Sequence, residues 1–444
     1  MADYPPQIEI TPLPHPVAGA RATVTVPGSK SLTNRALIVA ALAAGETRLE
    51  GVLDSDDTRV MVQSLQALGV GVEHDPDLGQ MTVRGCGGRI PASEASLLVG
   101  NSGTSLRFLT ALVCLGRGTY RLDGVPRMRE RPVADLLVAL NRLGADASSD
   151  AGTGCPPLTV RADGLDGGYT LVKGDVSSQF LSGLLMALPY AKTATTVEVD
   201  GTLVSKPYID MTLAVMRDFG LSPANHGYQS FNIEPARYRR QPRYRIEPDA
   251  SAASYFFAAA AMTGARIAVE GLGTASVQGD LAFVDVLAHM GCQVEKSAGR
   301  IVVQGPPDGQ LRGVDVDMNP ISDTVMTLAA VALFAQGMTR IRNVGHVRHK
   351  ETDRLAAIAT ELRKFGTFVD EKPDGLILFP PDRIATPVQV ATYDDHRMAM
   401  ALSLIGLRVP GVSILDPGCV AKTYPGYWND LDALRQQLTA DPAG

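Results

Sequence analysis

Thr47-Arg-Leu-Glu-Gly51 is a short β-like run that stops on a glycine, and the chain returns to its form five more times. Tyr120-Arg-Leu-Asp-Gly124, Val197-Glu-Val-Asp-Gly201, Ile267-Ala-Val-Glu-Gly271, Thr339-Arg-Ile-Arg-Asn343 and Ser413-Ile-Leu-Asp-Pro417 each end on a small or turn-forming residue. Consecutive end points stand 70 to 77 residues apart. Random turns would not keep that interval, so the chain is read as six copies of one unit.

Working outward from each marker fills in the unit. After each of the first five comes an amphipathic helix that stops at a glycine, at Gly69, Gly144, Gly220, Gly291 and Gly366. A glycine there supplies a left-handed C-cap. A further strand follows, such as MTVRG (81–85) or IVVQG (301–305). Ahead of every marker lies a second helix rich in Ala and Leu, whose all-round apolar character predicts burial. The unit is therefore α/β: helix, strand, helix, strand and linking strands.

The last copy runs out after Trp428 without a closing strand, while an unpaired β-like run, Ile8–Thr11, stands near the N-terminus. That run is expected to complete the final set. The chain then crosses between domains near Pro27 and near Glu247. This predicts one domain of three units over 28–246 and a second, discontinuous one over 1–27 and 247–444.

Composition narrows the function. A net charge of −6 gives no global attraction for nucleic acid. The five cysteines (Cys86, Cys114, Cys155, Cys292, Cys419) are scattered, without metal-ligand spacing, so neither structural zinc nor a disulfide framework is expected. Reduced cysteines fit the cytoplasm. Met1-Ala-Asp-Tyr-Pro-Pro6 lacks the basic and apolar parts of a signal peptide. No apolar stretch reaches the ~18 residues that span a bilayer, so no membrane association is expected.

Chemistry concentrates at the starts of the six buried helices. They read SKSLTNR (29–35), NSGTSLR (101–107), SSQF (177–180), DASAASY (249–255), SDTVM (322–326) and DDHRM (394–398). Each start carries unpaired N–H groups and positive dipole character, a site for anions. Pro27-Gly-Ser-Lys30 follows a strand, but its order is not that of a nucleotide P-loop. Two clusters follow marker strands: PRMRERP (126–132), with Arg127, Arg129 and Arg131, and HVRHKETDR (346–354). A helix carrying Lys350, Glu351 and Arg354 would put Lys350 and Arg354 on one face. Singly, such segments are more often capped helix starts or salt-bridged surface. Their recurrence at equivalent repeat positions favours a shared anion site.

With these residues assembled, the chain resembles the 5-enolpyruvylshikimate-3-phosphate synthases, a family of enolpyruvyl transferases. The matching segments are colinear: PGSKSLTNRA (27–36), LDSDDT (53–58), NSGTSLR, PRMRERP, SSQFLSGLLMALP (177–189), LVSKPYID (203–210), KETDRLAAIATELRKFG (350–366), DDHRMAMALSLIGL (394–407) and AKTYP (421–425). The resemblance implies two inside-out α/β barrel domains, each three repeats of a βαβαββ unit. It implies transfer of the enolpyruvyl group of phosphoenolpyruvate to the 5-hydroxyl of shikimate 3-phosphate, with release of phosphate, in the shikimate pathway to chorismate and the aromatic amino acids. The partners are then those two small molecules, with no cofactor and no metal, and the expected state is a monomer.

Carried over motif by motif, the resemblance assigns shikimate 3-phosphate to Lys30, Ser31, Arg35, Ser177, Ser178, Gln179, Ser205, Tyr208, Asp323, His346 and Lys350. It assigns phosphoenolpyruvate to Lys30, Gly103, Arg131, Gln179, Arg354, Arg397 and Lys422. Asp323 is the candidate base and Glu351 the candidate acid, with Lys30 assisting. DASAASY contributes no obvious ligand. Three residues depart from the commonest pattern. His346 replaces a frequent asparagine, which predicts pH sensitivity near neutrality. Phe108 stands where proline is common and Ser102 where alanine is common, beside the pocket that the inhibitor glyphosate shares with phosphoenolpyruvate, which predicts an altered glyphosate response. Competing readings are a transferase acting on UDP-N-acetylglucosamine, against which the lack of a loop cysteine counts, and an inactive anion-binding member of the fold.

Overall fold

The marker strands sit inside small mixed sheets. Ala44–Glu50, Arg117–Asp123, Thr195–Asp200, Arg266–Glu270 and Thr339–Arg342 each occupy an inner position of a four-stranded sheet. Each pairs in parallel with one neighbour and antiparallel with a strand that folds back as a hairpin, as Arg117–Asp123 does between Glu94–Leu98 and Leu158–Asp163. The alternation of TRLEG is realised directly, for Thr47 and Leu49 point inward while Arg48 points to solvent.

The computed structural model describes residues 4–14, 17–306 and 309–440. Met1, Ala2 and Asp3, part of the stretch read against a signal peptide, lie outside them. The chain divides into two compact units, Gly28–Ile246 and Met1–Pro27 with Glu247–Gly444. No described helix is long and apolar enough to cross a membrane.

In each unit three buried helices form the centre. Lys30–Leu42, Gly103–Val113 and Ser178–Ala187 serve the first; Ala250–Thr263, Val325–Ala332 and His396–Gly406 serve the second. Alanine, glycine and small polar residues let these helices approach closely, and every residue of Gly103–Val113, Val325–Ala332 and His396–Gly406 is buried. The amphipathic helices Asp56–Ala67, Ala134–Asn141, Lys206–Asp218, Phe283–His289 and Arg354–Lys364 lie outside them. The glycine beyond each has a positive φ, from 82° at Gly69 to 107° at Gly291.

The N-terminal segment supplies two strands to its own unit. Gln7–Glu9 pairs antiparallel with Val412–Leu415, Ile8 opposite Ile414. It thus completes the sixth sheet, although the strand is shorter than the run Ile8–Thr11 suggested. Arg21–Thr25 pairs in parallel with Arg266–Glu270, Arg21 opposite Arg266. By sequence order it would lead into Lys30–Leu42 and pair with Ala44–Glu50. That place is taken by Arg243–Arg245, with Arg243 opposite Arg48. The two crossings of the chain therefore exchange the leading strands of the first and fourth repeats, and each unit closes its sheets with its own residues. Beyond Trp428 the chain continues as a helix, Tyr427–Thr439, whose Gln437 Oε1 accepts from Thr23 N at 3.0 Å.

Candidate active site

Five of the six buried helices are capped by the residue that their signature places there. The side chains of Ser29, Ser102, Ser177, Asp249 and Asp395 accept from Leu32 N, Ser105 N, Gln179 N, Ala252 N and Arg397 N. The exception is Val325–Ala332, which is preceded by a 3-10 turn, Asn319–Thr324, and has no side-chain cap. Asp323 lies in that turn and keeps both carboxylate oxygens for cations.

In the unit Gly28–Ile246 the helix starts are tied together. Lys30 Nζ stands 3.5 Å from Asp57 Oδ2, and Ser105 Oγ donates to the Asp57 carbonyl at 3.5 Å. Gln179 Nε2 donates to Thr104 Oγ1 at 3.1 Å, joining the second helix start to the third. Arg131, 4% exposed, donates through Nη1 to the Asn101 carbonyl at 3.0 Å. Arg107, 3% exposed, donates to the Pro132 carbonyl at 3.2 Å. A Cβ at Gly103 would collide with the guanidinium ends of both Arg107 and Arg131, so glycine there leaves room for two cations to converge. Ser205, with φ of 54°, opens the helix that bears Tyr208. Arg127 and Arg129 instead form ion pairs with Glu130 and Asp123.

Arg35 is not laid open. Its Nε donates to Thr212 Oγ1 at 2.8 Å, Nη1 to the Ser31 carbonyl at 2.9 Å, and Nη2 to Ser182 Oγ and the Tyr208 carbonyl at 3.3 and 3.0 Å. Burial pulls its guanidinium down to about 10.

In the second unit a denser network forms around Asp323. Its Oδ1 accepts from Lys350 Nζ at 2.5 Å and Arg354 Nη1 at 3.2 Å, and its Oδ2 from Arg397 Nη2 at 2.7 Å. Arg354 reaches further, with Nε to Asp395 Oδ2 at 2.7 Å and Nη2 to Glu351 Oε2 at 2.8 Å. Lys422 Nζ lies 3.9 Å from Glu351 Oε1. Burial opposes the charge of Arg354, but Asp395, Glu351 and Asp323 together raise its affinity for the proton above normal. Burial is also the main influence on Lys350 and lowers it, with Asp323 acting against the shift.

Two expectations need correction. Lys350 and Glu351 do not share a helix with Arg354. Gly345–His349 is a 3-10 turn, Lys350 follows it with ψ of −147°, and the helix begins at Arg354, capped by Asp353. Lys350 and Arg354 meet at Asp323 through this break rather than through helical spacing. His346 is buried, and burial with the nearby Lys350 lowers it to about 3. That value keeps it neutral through the physiological range, against the expectation of a group that titrates near neutrality.

The sequence assigned no role to several participants. Asp395 balances Arg354 as well as capping its helix, and Asp57 pairs with Lys30. Asp57 sits in LDSDDT, where an acidic residue at a helix start reads as an ordinary cap. Asp280 is 5% exposed and accepts from Ser251 of the fourth helix; burial and the charge of Asp323 push it up to about 6. DASAASY thus does reach the charged cluster, through Asp280. Among the described residues no group of three or more His, Cys, Asp or Glu is placed to hold a metal ion.

A family model for EPSP synthase (3-phosphoshikimate 1-carboxyvinyltransferase) matches residues 15–431. The chain belongs to the EPSP synthase family. It is 50% identical over 430 residues to the 3-phosphoshikimate 1-carboxyvinyltransferase of Nostoc punctiforme, covering 97% of this chain and 99% of that one. It is 51% identical over 411 residues to that of Thiobacillus denitrificans, covering 92% and 96%. The solved EPSP synthase of Acinetobacter baumannii superposes with a TM-score of 0.80 at 26% identity, covering 96% of this chain and 98% of that one. The enolpyruvyl transferase NikO from Streptomyces tendae, 22% identical with a TM-score of 0.76, shares the fold. The family read from the sequence is therefore the right one, and the mixed sheets repeated through the chain agree with its α/β architecture.

Proposed function

We infer that the chain transfers the enolpyruvyl group of phosphoenolpyruvate to the 5-hydroxyl of shikimate 3-phosphate, the 3-phosphoshikimate 1-carboxyvinyltransferase activity of its family in the shikimate pathway. The observation that carries the chemistry is Arg354, one buried guanidinium bonded to Asp323, Glu351 and Asp395 at once. It holds two candidate proton carriers within one charge network.

Both substrates are polyanions. Arg131, Arg354, Arg397 and Lys422 with Gly103 and Gln179 suit the phosphate and carboxylate of phosphoenolpyruvate, since guanidinium forks match those groups in two-point contact. Ser31, Arg35, Ser177, Ser178, Gln179, Ser205, Tyr208, His346 and Lys350 suit shikimate 3-phosphate. Lys30 serves both.

In the addition step the 5-hydroxyl oxygen bonds to C2 of phosphoenolpyruvate while C3 gains a proton. In the elimination step the C2–O bond to phosphate breaks and C3 returns a proton, restoring the double bond. Asp323 takes the hydroxyl proton and Glu351 supplies the one for C3, with Lys30 assisting; in the elimination Glu351 takes the C3 proton back and the proton held by Asp323 leaves with the phosphate. Lys350, Arg354 and Arg397 together surround the Asp323 carboxylate.

Phosphate release with shikimate 3-phosphate and phosphoenolpyruvate, against UDP-N-acetylglucosamine as acceptor, tests the activity; turnover with the second acceptor alone would overturn it. For the roles, Glu351→Gln is expected to slow formation of the tetrahedral intermediate in a single turnover by about 10²-fold or more. Formation at the parent's rate would remove Glu351 from the role of acid.

A further inference from the structure

We propose that Phe108 is a positioning residue for shikimate 3-phosphate, its ring face fixing the guanidinium of Arg35 at the start of the first buried helix. The inference rests on the assignment of Arg35 to that substrate, made above.

Arg35 is 2% exposed, and its hydrogen-bond partners, Thr212, Ser182 and the carbonyls of Ser31 and Tyr208, are all neutral. No carboxylate joins them among the described residues. A desolvated cation held only by neutral dipoles keeps its field for an incoming anion, but it also lacks a strong counterforce to keep it in place. The N–H donors of a guanidinium lie in its plane, so those bonds chiefly set its in-plane direction. The face needs a separate support.

Phe108 provides it. The Arg35 Cζ lies 5.3 Å from the centre of the Phe108 ring, and Phe108 is 1% exposed. With water excluded from both partners, the attraction of a cation to an aromatic face is at the upper end of its range. A proline or aliphatic residue at 108 would fill space without that attraction.

The same device recurs one helix further on. Arg107, next to Phe108, has its Cζ 5.6 Å from the centre of the Phe180 ring, on the third buried helix. Each guanidinium is thus backed by an aromatic ring from the next repeat. The second repeat is therefore a specificity element for the substrate of the first: Phe108 holds Arg35 while its neighbour Arg107 faces Gly103.

The test uses the full-length enzyme and separates shape from the ring's charge distribution. Phe108 is replaced by mono-, tri- and pentafluorophenylalanine, which keep the packing and progressively weaken the negative ring face, and by Phe108→Leu and Phe108→Tyr. The KM for shikimate 3-phosphate is expected to rise with each added fluorine and to reach about tenfold in the pentafluoro and leucine enzymes. The tyrosine variant restores it to within about twofold, and kcat and the KM for phosphoenolpyruvate stay within about twofold throughout. A shikimate 3-phosphate KM that does not move along the fluorinated series overturns the role of Phe108, whatever happens to thermal stability. Arg35→Lys is run alongside. If it leaves that KM unchanged, the assignment of Arg35 itself falls. If it raises the KM while fluorination does not, Phe108 alone is excluded.

Discussion

At the scale of single residues, the site depends on groups kept small or neutral so that charged ones can act. Gly103 is the sharpest case, because a methyl group there meets the ends of Arg107 and Arg131 together. Gly103→Ala is expected to raise the KM for phosphoenolpyruvate by about tenfold or more, with that for shikimate 3-phosphate within about twofold. Steady-state kinetics with each substrate varied in turn checks this. His346 makes the opposite point, a titratable group held uncharged. Its folded value of about 3 lies below the 6.5 of an unconstrained histidine. Between those values the unfolded chain binds the extra proton, so this group's contribution is intact above pH 6.5 and is lost as pH falls toward 3. By pH 5 the loss is on the order of 2 kcal/mol. His346→Asn is expected to show a correspondingly smaller drop in unfolding free energy between pH 7.5 and pH 5, measured by urea titration. Equal drops in the two proteins would contradict the neutral, buried histidine.

At the scale of elements, the site is held by bonds between segments far apart in sequence. Glu361, fully buried on the helix Arg354–Lys364, accepts from Lys364 Nζ at 2.7 Å, Ala391 N at 3.0 Å and Tyr393 Oη at 2.8 Å. The segment it holds contains Tyr393 and Asp394, consecutive residues with φ of 55° and 54°, immediately before Asp395 and Arg397. Two non-glycine residues in the left-handed region are costly unless their surroundings impose them, and Glu361 is one of those constraints. Glu361→Gln is expected to lower stability by about 1–3 kcal/mol and to reduce kcat/KM for phosphoenolpyruvate, since Arg354 and Arg397 lie on opposite sides of the contact. Denaturant unfolding and kinetics on the same preparation check both parts; unchanged kcat/KM would confine Glu361 to a folding role. The helices themselves were legible in the sequence, because periodicity, N-caps and terminal glycines act within a few residues. The break at Lys350 was not, since KETDR has the composition of a helix and only the pull of Asp323 and the Asp353 cap set its true start.

At the scale of the whole molecule, the exchanged leading strands make each unit complete in itself. Gly28–Ile246 is continuous in sequence and carries its own closing strand, Arg243–Arg245. Expressed alone, it is expected to fold and to unfold in one cooperative denaturant transition. A shorter version ending at Gln241 leaves the edge of Ala44–Glu50 uncovered and is expected to be less stable, with faster amide exchange along that strand. A full-length fragment without a cooperative transition would show that closure of the sheet is insufficient for independent folding.

What the sequence determined by itself was everything carried by local pattern. The six recurring marker strands, the buried and amphipathic helices, their caps, and motifs long enough to place the chain in its family all follow from residues close together. The tertiary structure alone decided the pairings. Nothing near Arg21–Thr25 states that its partner is Arg266–Glu270 rather than Ala44–Glu50, because strand pairing depends on which edges are left open once the rest has packed. Nothing near Asp57, Asp280 or Asp395 distinguishes a helix cap from a counterion, because the cations they answer lie on other segments. For the same reason Phe108 reads only as an unusual residue in its motif until the fold sets the guanidinium of Arg35 against its ring.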